Sequence, residues 1–198
     1  MPTIANIING KLVVYTAVYG EALPELDNLM PPAVTVTPAG NWSQVPFTVD
    51  DYIFKYEPEF EEVFVNEHNG AVELLLIKEA ATLELTFSEN DMSAWNRAIS
   101  ASTLGTQAAG ADQTAQDQLG VGDKASTTAI SLLLLGTSPE AGSRVIHCYK
   151  VKQTGSFEHV AGKKQGMATL TYTLLTDTSK TAGERMFKVW DITAVASS

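Results

Sequence analysis

The 198-residue chain has few of the residues on which several classes of protein depend. Its single cysteine, Cys148, excludes an internal disulfide and a cluster of thiolate metal ligands. The three histidines, His68, His147 and His159, show none of the spacings typical of a zinc site. The longest aliphatic run, residues 132–135, is far too short to span a bilayer, and the first residues do not resemble a secretion signal. We therefore expect no metal, no cofactor and no membrane partner.

Positive charge is also scarce. The chain has 13 lysines and arginines against 23 aspartates and glutamates, a net charge of −10, and so lacks the clustered bases that neutralise nucleic-acid phosphates. Residues 1–100 carry 15 of the acids and only 4 of the bases. This imbalance is compatible with an acidic soluble protein, and also with copies that associate through surfaces of different charge.

Apolar residues, by contrast, make up 44% of the chain, enough for a sizeable core. The clearest pattern is the alternation over residues 52–65, which predicts a strand with aromatic rings on one face and charges on the other. The predicted core face holds Tyr52, Phe54, Tyr56 and Phe60. The opposite face holds Lys55, Glu57, Glu59 and Glu61.

The next segment predicts the second strand of a hairpin. Asn69-Gly70 is a strong turn signal, and the strand that begins near Ala71 alternates again. On that strand Leu83, Leu85 and Phe87 are predicted to face the core, with Glu84 on the outer face.

At Ser88 the apolar period changes from that of a strand to that of a helix. Ser88 and Asp91 resemble a capping box, and Met92, Trp95 and Ile99 then fall on one helical face. We predict a short amphipathic helix over residues 89–100, packed on the sheet through these three side chains.

Two segments predict irregular structure inside a single domain spanning residues 1–198. Residues 20–45 contain four prolines and are expected to form a Pro-rich arm or loop. Residues 101–129 are rich in small and polar residues and are expected to be a long flexible surface loop. Its few large apolar residues are candidates for contacts between subunits: Leu104, Leu119 and Val121.

Strands are predicted on both sides of these segments. A first strand is expected over residues 11–19, and the second half of the chain shows four more. The later strands are predicted over residues 128–135, 144–153, 167–176 and 186–193. The fold class that follows is mainly β, a sandwich or barrel with one short flanking helix and a long flexible loop.

Catalytic interpretations have little support in the sequence. Paired carboxylates can perform acid–base chemistry, but Glu57, Glu59 and Glu61 share one predicted exposed face, where they remain solvated. His147 and Cys148 are neighbours in a predicted strand, so their side chains point to opposite faces and cannot form a nucleophile–base pair. We therefore expect no enzyme and no catalytic residue.

Two blocks of sequence resemble the major tail-tube proteins of long-tailed, siphovirus-like bacteriophages. The first is the hairpin YIFKYEPEFEEVFVNEHNGAVELLLIKEAATLELTFSEN with its continuation DMSAWNRAIS. The second comprises RVIHCYKVKQTGS, KKQGMATLTYTLLTDTSK and MFKVWD. Together they cover well over half of the chain.

The resemblance implies a β-sandwich or barrel of tail-tube type whose subunits close into rings, six to a ring, and stack into a tube through which viral DNA passes. It implies as partners further copies of the chain and other tail proteins (tape measure, tail tip and terminator), with location in the virion after assembly in the host cytoplasm. An anionic wall would suit a DNA conduit, because it prevents tight binding of the duplex. We hypothesise that the lumen is lined by Lys55, Glu57, Glu59, Glu61 and Glu84.

Two alternatives stay open. One is another tail or neck component on the same fold, such as a terminator or the tube of a contractile device. The other is a β-sandwich module for capsid decoration or adhesion, which would not polymerise into tubes.

Overall fold

The computed structural model describes residues 13–29, 40–45, 52–64, 70–87, 92–99, 101–111, 113–123, 127–137, 142–157 and 168–192. Within these ranges the fold is mainly β, with antiparallel sheets and one α-helix, α1 (Met92–Ala98). The strands, in chain order, are β1 (Val13–Val18), β2 (Ser43–Gln44), β3 (Ile53–Phe64), β4 (Ala71–Phe87), β5 (Ser102–Gln107), β6 (Gln116–Val121), β7 (Ile130–Thr137), β8 (Ser143–Gln153), β9 (Ala168–Leu174) and β10 (Phe187–Ile192).

Eight of the strands form one sheet, in the order β2-β1-β7-β8-β9-β4-β3, with β10 also paired to β8. Strand β8 is the branch point. It pairs with β7 along one edge, while its other edge is divided between β10, from Ser143 to Cys148, and β9, from Val151 to Gln153. The strands β5 and β6 form a separate two-stranded sheet.

The central strands of the large sheet are covered on both faces. In β7, Leu132 and Leu134 belong to one cluster of buried side chains, and Leu133 and Leu135 to another; all four are 0% exposed. A strand buried on both faces needs apolar residues at every position, which explains the unbroken leucine run. The first cluster draws its other members chiefly from β4, β8 and β9.

The second cluster is covered by part of the Pro-rich segment. Leu29 and Trp42 are buried in it, and Leu23 and Leu26 pack against it. A short 3-10 helix, Leu26–Leu29, belongs to this cover, and the Trp42 indole donates a hydrogen bond to the carbonyl of Ala22 at 3.0 Å. The segment is irregular as predicted, but its described residues pack on the sheet of their own chain and do not form a free arm.

The seven predicted strands correspond to β1, β3, β4, β7, β8, β9 and β10, whereas β2, β5 and β6 were not predicted. The alternation in β9 is confirmed, with Leu170, Tyr172 and Leu174 buried. The hairpin of β3 and β4 is confirmed by its antiparallel pairing, whereas Asn69 of the predicted turn lies outside the described residues.

The core predictions for the hairpin and the helix are only partly right. Leu83 and Leu85 are buried, and Tyr52 and Phe54 pack half-buried against the first cluster. By contrast three predicted core residues are exposed: Tyr56 (44%), Phe60 (51%) and Met92 (42%). The first two lie on the edge strand β3, and at Phe60 that strand also extends beyond the rest of the sheet. The side chain of Phe87 lies outside the described part.

The helix is present, and of the predicted face Trp95 and Ile99 are partly buried whereas Met92 is exposed. Ala98 is its fully buried side chain, while Trp95 and Ile99 are half-buried and the Trp95 ring meets Phe157 edge-on at 5.2 Å. The small Ala98 lets the helix approach the sheet closely, which leaves Met92 at the opposite end in solvent. The predicted cap at Ser88 lies outside the described residues.

The prediction of a structureless loop over residues 101–129 is wrong. Strands β5 and β6 form an antiparallel pair of six residues each within this segment. Side-chain amides stabilise it, since Gln116 and Gln118 both donate to Oε1 of Gln107, at 2.6 and 2.9 Å. Its polar composition reflects exposure on both faces and not a lack of regular structure.

Candidate functional site

The long hairpin divides into two regions that differ in their neighbours. Residues 81–87 of β4 pair with β9 on one edge and with β3 on the other. Residues 71–80 pair with β3 alone. We refer to residues 53–56 and 81–87 as the root of the hairpin, and to residues 57–64 and 71–80 as its tip. The tip is a two-stranded ribbon that extends past the sheet.

The tip exposes an unusual amount of apolar surface. Seven large apolar side chains are between 47% and 62% exposed: Phe60, Phe64, Val72, Leu74, Leu75, Leu76 and Ile77. Single apolar residues on a surface are ordinary, but a contiguous group of this size is typical of a surface that contacts another molecule.

Apolar side chains lie on both faces of the ribbon. Phe60 is opposite Leu76 and Glu61 is opposite Leu75, and residues opposite each other in a strand pair share a face. Consecutive leucines therefore point to opposite sides. Two register shifts, after Glu59 and after Val63, bend and twist the ribbon further.

The residues predicted to line a lumen lie on the exposed surface of this hairpin. Lys55, Glu57 and Glu59 alternate along one face of β3, and Glu84 lies on that face opposite Ile53. Glu61 follows the first register shift and is opposite Leu75. The structure thus brings four of the five together on one face.

That face is less anionic than the sequence pattern indicates. The Lys55 ammonium lies 2.7 Å from a Glu57 oxygen, and the Lys78 ammonium lies 3.8 Å from Glu59, directly across the ribbon. All four side chains are more than half exposed, so each pair is weak and rearranges easily in water. The carboxylates are solvated on a projecting ribbon and not enclosed in a cleft.

His147 and Cys148 are separated by the sheet. The His147 ring packs edge-on against Trp42 and Tyr149, whereas Cys148 belongs to the first buried cluster on the opposite face. Burial lowers the pKa of His147 to about 4, assisted by the charge of Lys180, and burial raises the pKa of Cys148 to about 12. The thiol is inert and the imidazole cannot reach it.

The three apolar residues predicted to contact other subunits share one face of the β5–β6 pair. Leu104 is opposite Leu119, and Val121 is two residues further along the same strand. Leu104 is 37% and Val121 61% exposed, while Ser102, opposite Val121, is buried and donates to the carbonyl of Ile99 at the end of α1. The pair is therefore attached to the helix, with an apolar edge left in solvent.

The apolar tip is the feature that the sequence analysis missed. The signal was the unbroken run Leu74-Leu75-Leu76-Ile77, which in an antiparallel strand indicates that both faces are to be covered. The described part of the chain supplies no cover for either face.

The described residues were also compared with the requirements of other kinds of site and with known proteins. No three histidine, cysteine, aspartate or glutamate side chains in the described ranges are grouped so that they could hold a metal ion. No helix among the described residues has the length and apolar content needed to cross a membrane. No protein-family model and no curated protein matches the chain.

Proposed function

We propose that the chain is the tail-tube subunit of a long-tailed bacteriophage, a structural protein that assembles into stacked rings around a channel for DNA. The observation that carries this proposal is the hairpin tip, with seven large apolar side chains exposed on its two faces. Burying such a surface releases free energy of about 25 cal/mol for each Å² removed from water. A second copy of the chain is the occupant that the proposal requires.

The position of the tip supports contact between copies. It extends past the sheet and, among the described residues, pairs only with itself, so both of its faces are available to another copy. A ribbon of one copy that meets a different surface of the next makes a heterologous contact, which closes into a ring or extends as a filament. The acidic first half and the nearly neutral second half of the chain suit such an arrangement.

The proposal includes a fold of the tail-tube sandwich or barrel type. This is more specific than the mainly β, antiparallel architecture of the described residues. It also includes six subunits to a ring, location in the virion tail after assembly in the host cytoplasm, and contacts with tape-measure, tail-tip and terminator proteins. DNA passes through without specific binding. This agrees with the net charge of −10 and the few bases.

In this proposal the charged face of β3 lines the channel. Three glutamates of that face, Glu57, Glu59 and Glu84, outnumber Lys55 and Lys78, which pair with the first two, and Glu61 follows on the same strand. The excess negative charge repels the duplex, and the weak ion pairs keep the wall from being a continuous anionic field. An assembled tube with these side chains on its outer surface would contradict this assignment.

Electron microscopy of the purified full chain tests the proposal. We expect hollow rods for the wild-type protein and none for Leu76→Glu, because the charge would have to be buried in the contact between copies. Val189→Glu is the matched control, since Val189 is exposed to a similar degree (45% against 49%) but lies on β10, outside the tip.

The outcomes separate the candidate functions. Rods formed equally by both variants would show that the tip does not carry assembly. A wild-type protein that stays monomeric at all concentrations would contradict the proposal and favour a decoration or adhesion module.

A further inference from the structure

A cavity of about 360 Å³ lies between the helix and the sheet, away from the hairpin tip. Strands β1 and β2 line one side, α1 another, and the ends of β7 and β8 with Tyr172 of β9 complete it. Its volume is within the range of pockets that hold small ligands. Of the described residues, one cationic side chain, Arg97, and no acidic one line the cavity, in a chain with 23 acidic residues.

Two polar groups in the cavity have unused hydrogen-bonding capacity. The Tyr172 side chain is 1% exposed, and its hydroxyl has no hydrogen-bond partner among the described residues. Burial raises the pKa of this phenol, so it stays protonated and can donate, and the charge of Arg97 acts on it with the opposite sign. Arg97 makes no ion pair with a carboxylate of the described residues.

The other amides of the lining show which donors remain. Asn41 donates to Glu21 at 3.2 Å, and Gln153 donates to the carbonyl of Gly155 at 2.9 Å, so each amide already uses one of its two hydrogens. Asn96 Oδ1 lies 2.9 Å from the Ser102 hydroxyl and shares its one hydrogen with the closer Ile99 carbonyl at 2.6 Å, so the Asn96 NH₂ group can still donate. Donors with capacity left for a ligand include the Arg97 guanidinium, the Tyr172 hydroxyl and the Asn96 amide, and Arg97 is the charged one among them.

A set of donors with one positive charge selects an acceptor with one negative charge. The guanidinium fork matches the two oxygens of a carboxylate, and a buried hydroxyl strengthens such a contact because it gains the partner it lacks. We propose that this cavity binds a carboxylate group between Arg97, Asn96 and Tyr172. The inference does not depend on the proposed function. The carboxylate can belong to a small organic acid or to an acidic side chain of a second copy of the chain.

Binding of sodium acetate to the full chain tests the site, at fixed ionic strength and with acetamide as the neutral analogue. Saturation transfer from protein to the ligand methyl group measures affinity by nuclear magnetic resonance. We expect Arg97→Gln to weaken acetate binding about tenfold or more, and Tyr172→Phe to weaken it several-fold. Arg185→Gln, which removes a charge outside the cavity lining, should leave affinity within about twofold of wild type.

Arg97→Lys keeps the charge but loses the fork, so it should bind acetate with intermediate affinity. This variant, with thermal unfolding of each protein, distinguishes loss of the site from loss of the fold. The proposal is overturned if acetate shows no saturable binding, if acetamide binds as well, or if Arg97→Gln and Arg185→Gln lose affinity equally.

Sedimentation at rising protein concentration identifies the source of the carboxylate. If a second copy supplies it, Arg97→Gln should assemble at a concentration about tenfold higher than Arg185→Gln does, and acetate should compete with wild-type assembly. If the ligand is a free acid, the two variants should assemble alike while acetate binding still depends on Arg97. Either result agrees with a carboxylate site.

Discussion

The root and the tip of the hairpin belong to the same two strands, yet one is core and the other is surface. At the root, Leu83 is 0% and Leu85 1% exposed, because β9 and the first buried cluster lie beside them. At the tip, Leu74 and Leu76 are 58% and 49% exposed. Leucines of one continuous strand are thus buried in the core at the root and exposed to solvent at the tip.

The sequence pattern changes where the environment changes. The root alternates between apolar and polar residues, as a strand with one buried face does. The tip has consecutive large apolar residues, a pattern that β7 also shows and that in β7 corresponds to cover on both faces. Comparison of β7 with the tip teaches that an unbroken apolar run signals two covered faces, although the described part of the chain covers neither face of the tip.

The contrast between root and tip is tested most strongly by truncating one leucine in each region to alanine. Leu83→Ala should lower the free energy of unfolding by about 2–5 kcal/mol, because it leaves a cavity in a packed core. Leu76→Ala should change it by less than about 0.5 kcal/mol under conditions where the chain is monomeric. Urea unfolding followed by circular dichroism measures both values.

Similar losses for the two variants would mean that the tip is packed in the monomer and that the division into root and tip is wrong. Measuring at two protein concentrations is the control, since a concentration-dependent loss for Leu76→Ala would come from association and not from the fold of the single chain.

The parts of the fold predicted correctly from sequence are those governed by local periodicity. The strands β3, β4 and β9 and the helix each repeat their pattern over several residues, so neighbouring positions report the same environment. Tyr56 and Phe60 continue the alternation of Phe54, and nothing local reveals that β3 is an edge strand or that the sheet ends before Phe60. Which residues lack a neighbouring strand depends on topology, which the pattern of one strand does not contain.

The same limit explains the missed hairpin and the missed cavity. Strands β5 and β6 are stabilised by cross-strand pairing and amide contacts such as that between Gln107 and Gln116, in residues that a search for apolar periodicity ignores. The carboxylate site joins Arg97 to Tyr172, 75 positions apart in sequence, through the packing of α1 against the sheet. The glutamates of the tip were predicted to be exposed, and the pairing of Glu59 with Lys78 follows from the register of the two strands.

The centre of the sheet, which is covered on both faces, should make the stability of the protein depend on pH. His147 is buried beside Trp42 and Tyr149, its Nε2 atom has no hydrogen-bond partner among the described residues, and burial lowers its pKa from 6.5 to about 4. The unfolded chain therefore binds a proton between these values and the folded chain does not. The part of the unfolding free energy that comes from this pKa difference is complete above pH 6.5. It falls as the pH decreases and levels off below pH 4.

Between pH 7 and pH 5 the loss should be about 2 kcal/mol of unfolding free energy. Urea unfolding at both values measures it, and His147→Phe keeps an aromatic ring against Trp42 while removing the titration. The variant should be less dependent on pH over this interval by about that amount. An equal pH dependence in wild type and variant would show that other groups carry it.

The smallest expected effects on stability are those of two ion pairs, one between β8 and β10 and one at the hairpin tip. Arg144 and Asp191 join β8 to β10 through two parallel contacts of 2.7 and 2.6 Å, and both side chains are at most 39% exposed. This bidentate pair, which raises the pKa of Arg144, should contribute about 1 kcal/mol to stability. The tip pair of Lys78 and Glu59 is single, 3.8 Å long and more than 60% exposed, so its contribution should be less than about 0.3 kcal/mol.

Double-mutant cycles measure each pair without the cost of the partner left behind. The variants are Arg144→Gln with Asp191→Asn, and Lys78→Gln with Glu59→Gln, unfolded in urea at low and at high salt. The coupling energy at the tip should vanish in 1 M salt, where the screening length is about 3 Å, while part of the Arg144–Asp191 coupling should persist. A tip coupling as large as that of the covered pair would require a packed environment around Glu59, which would move the boundary between root and tip outward along the ribbon.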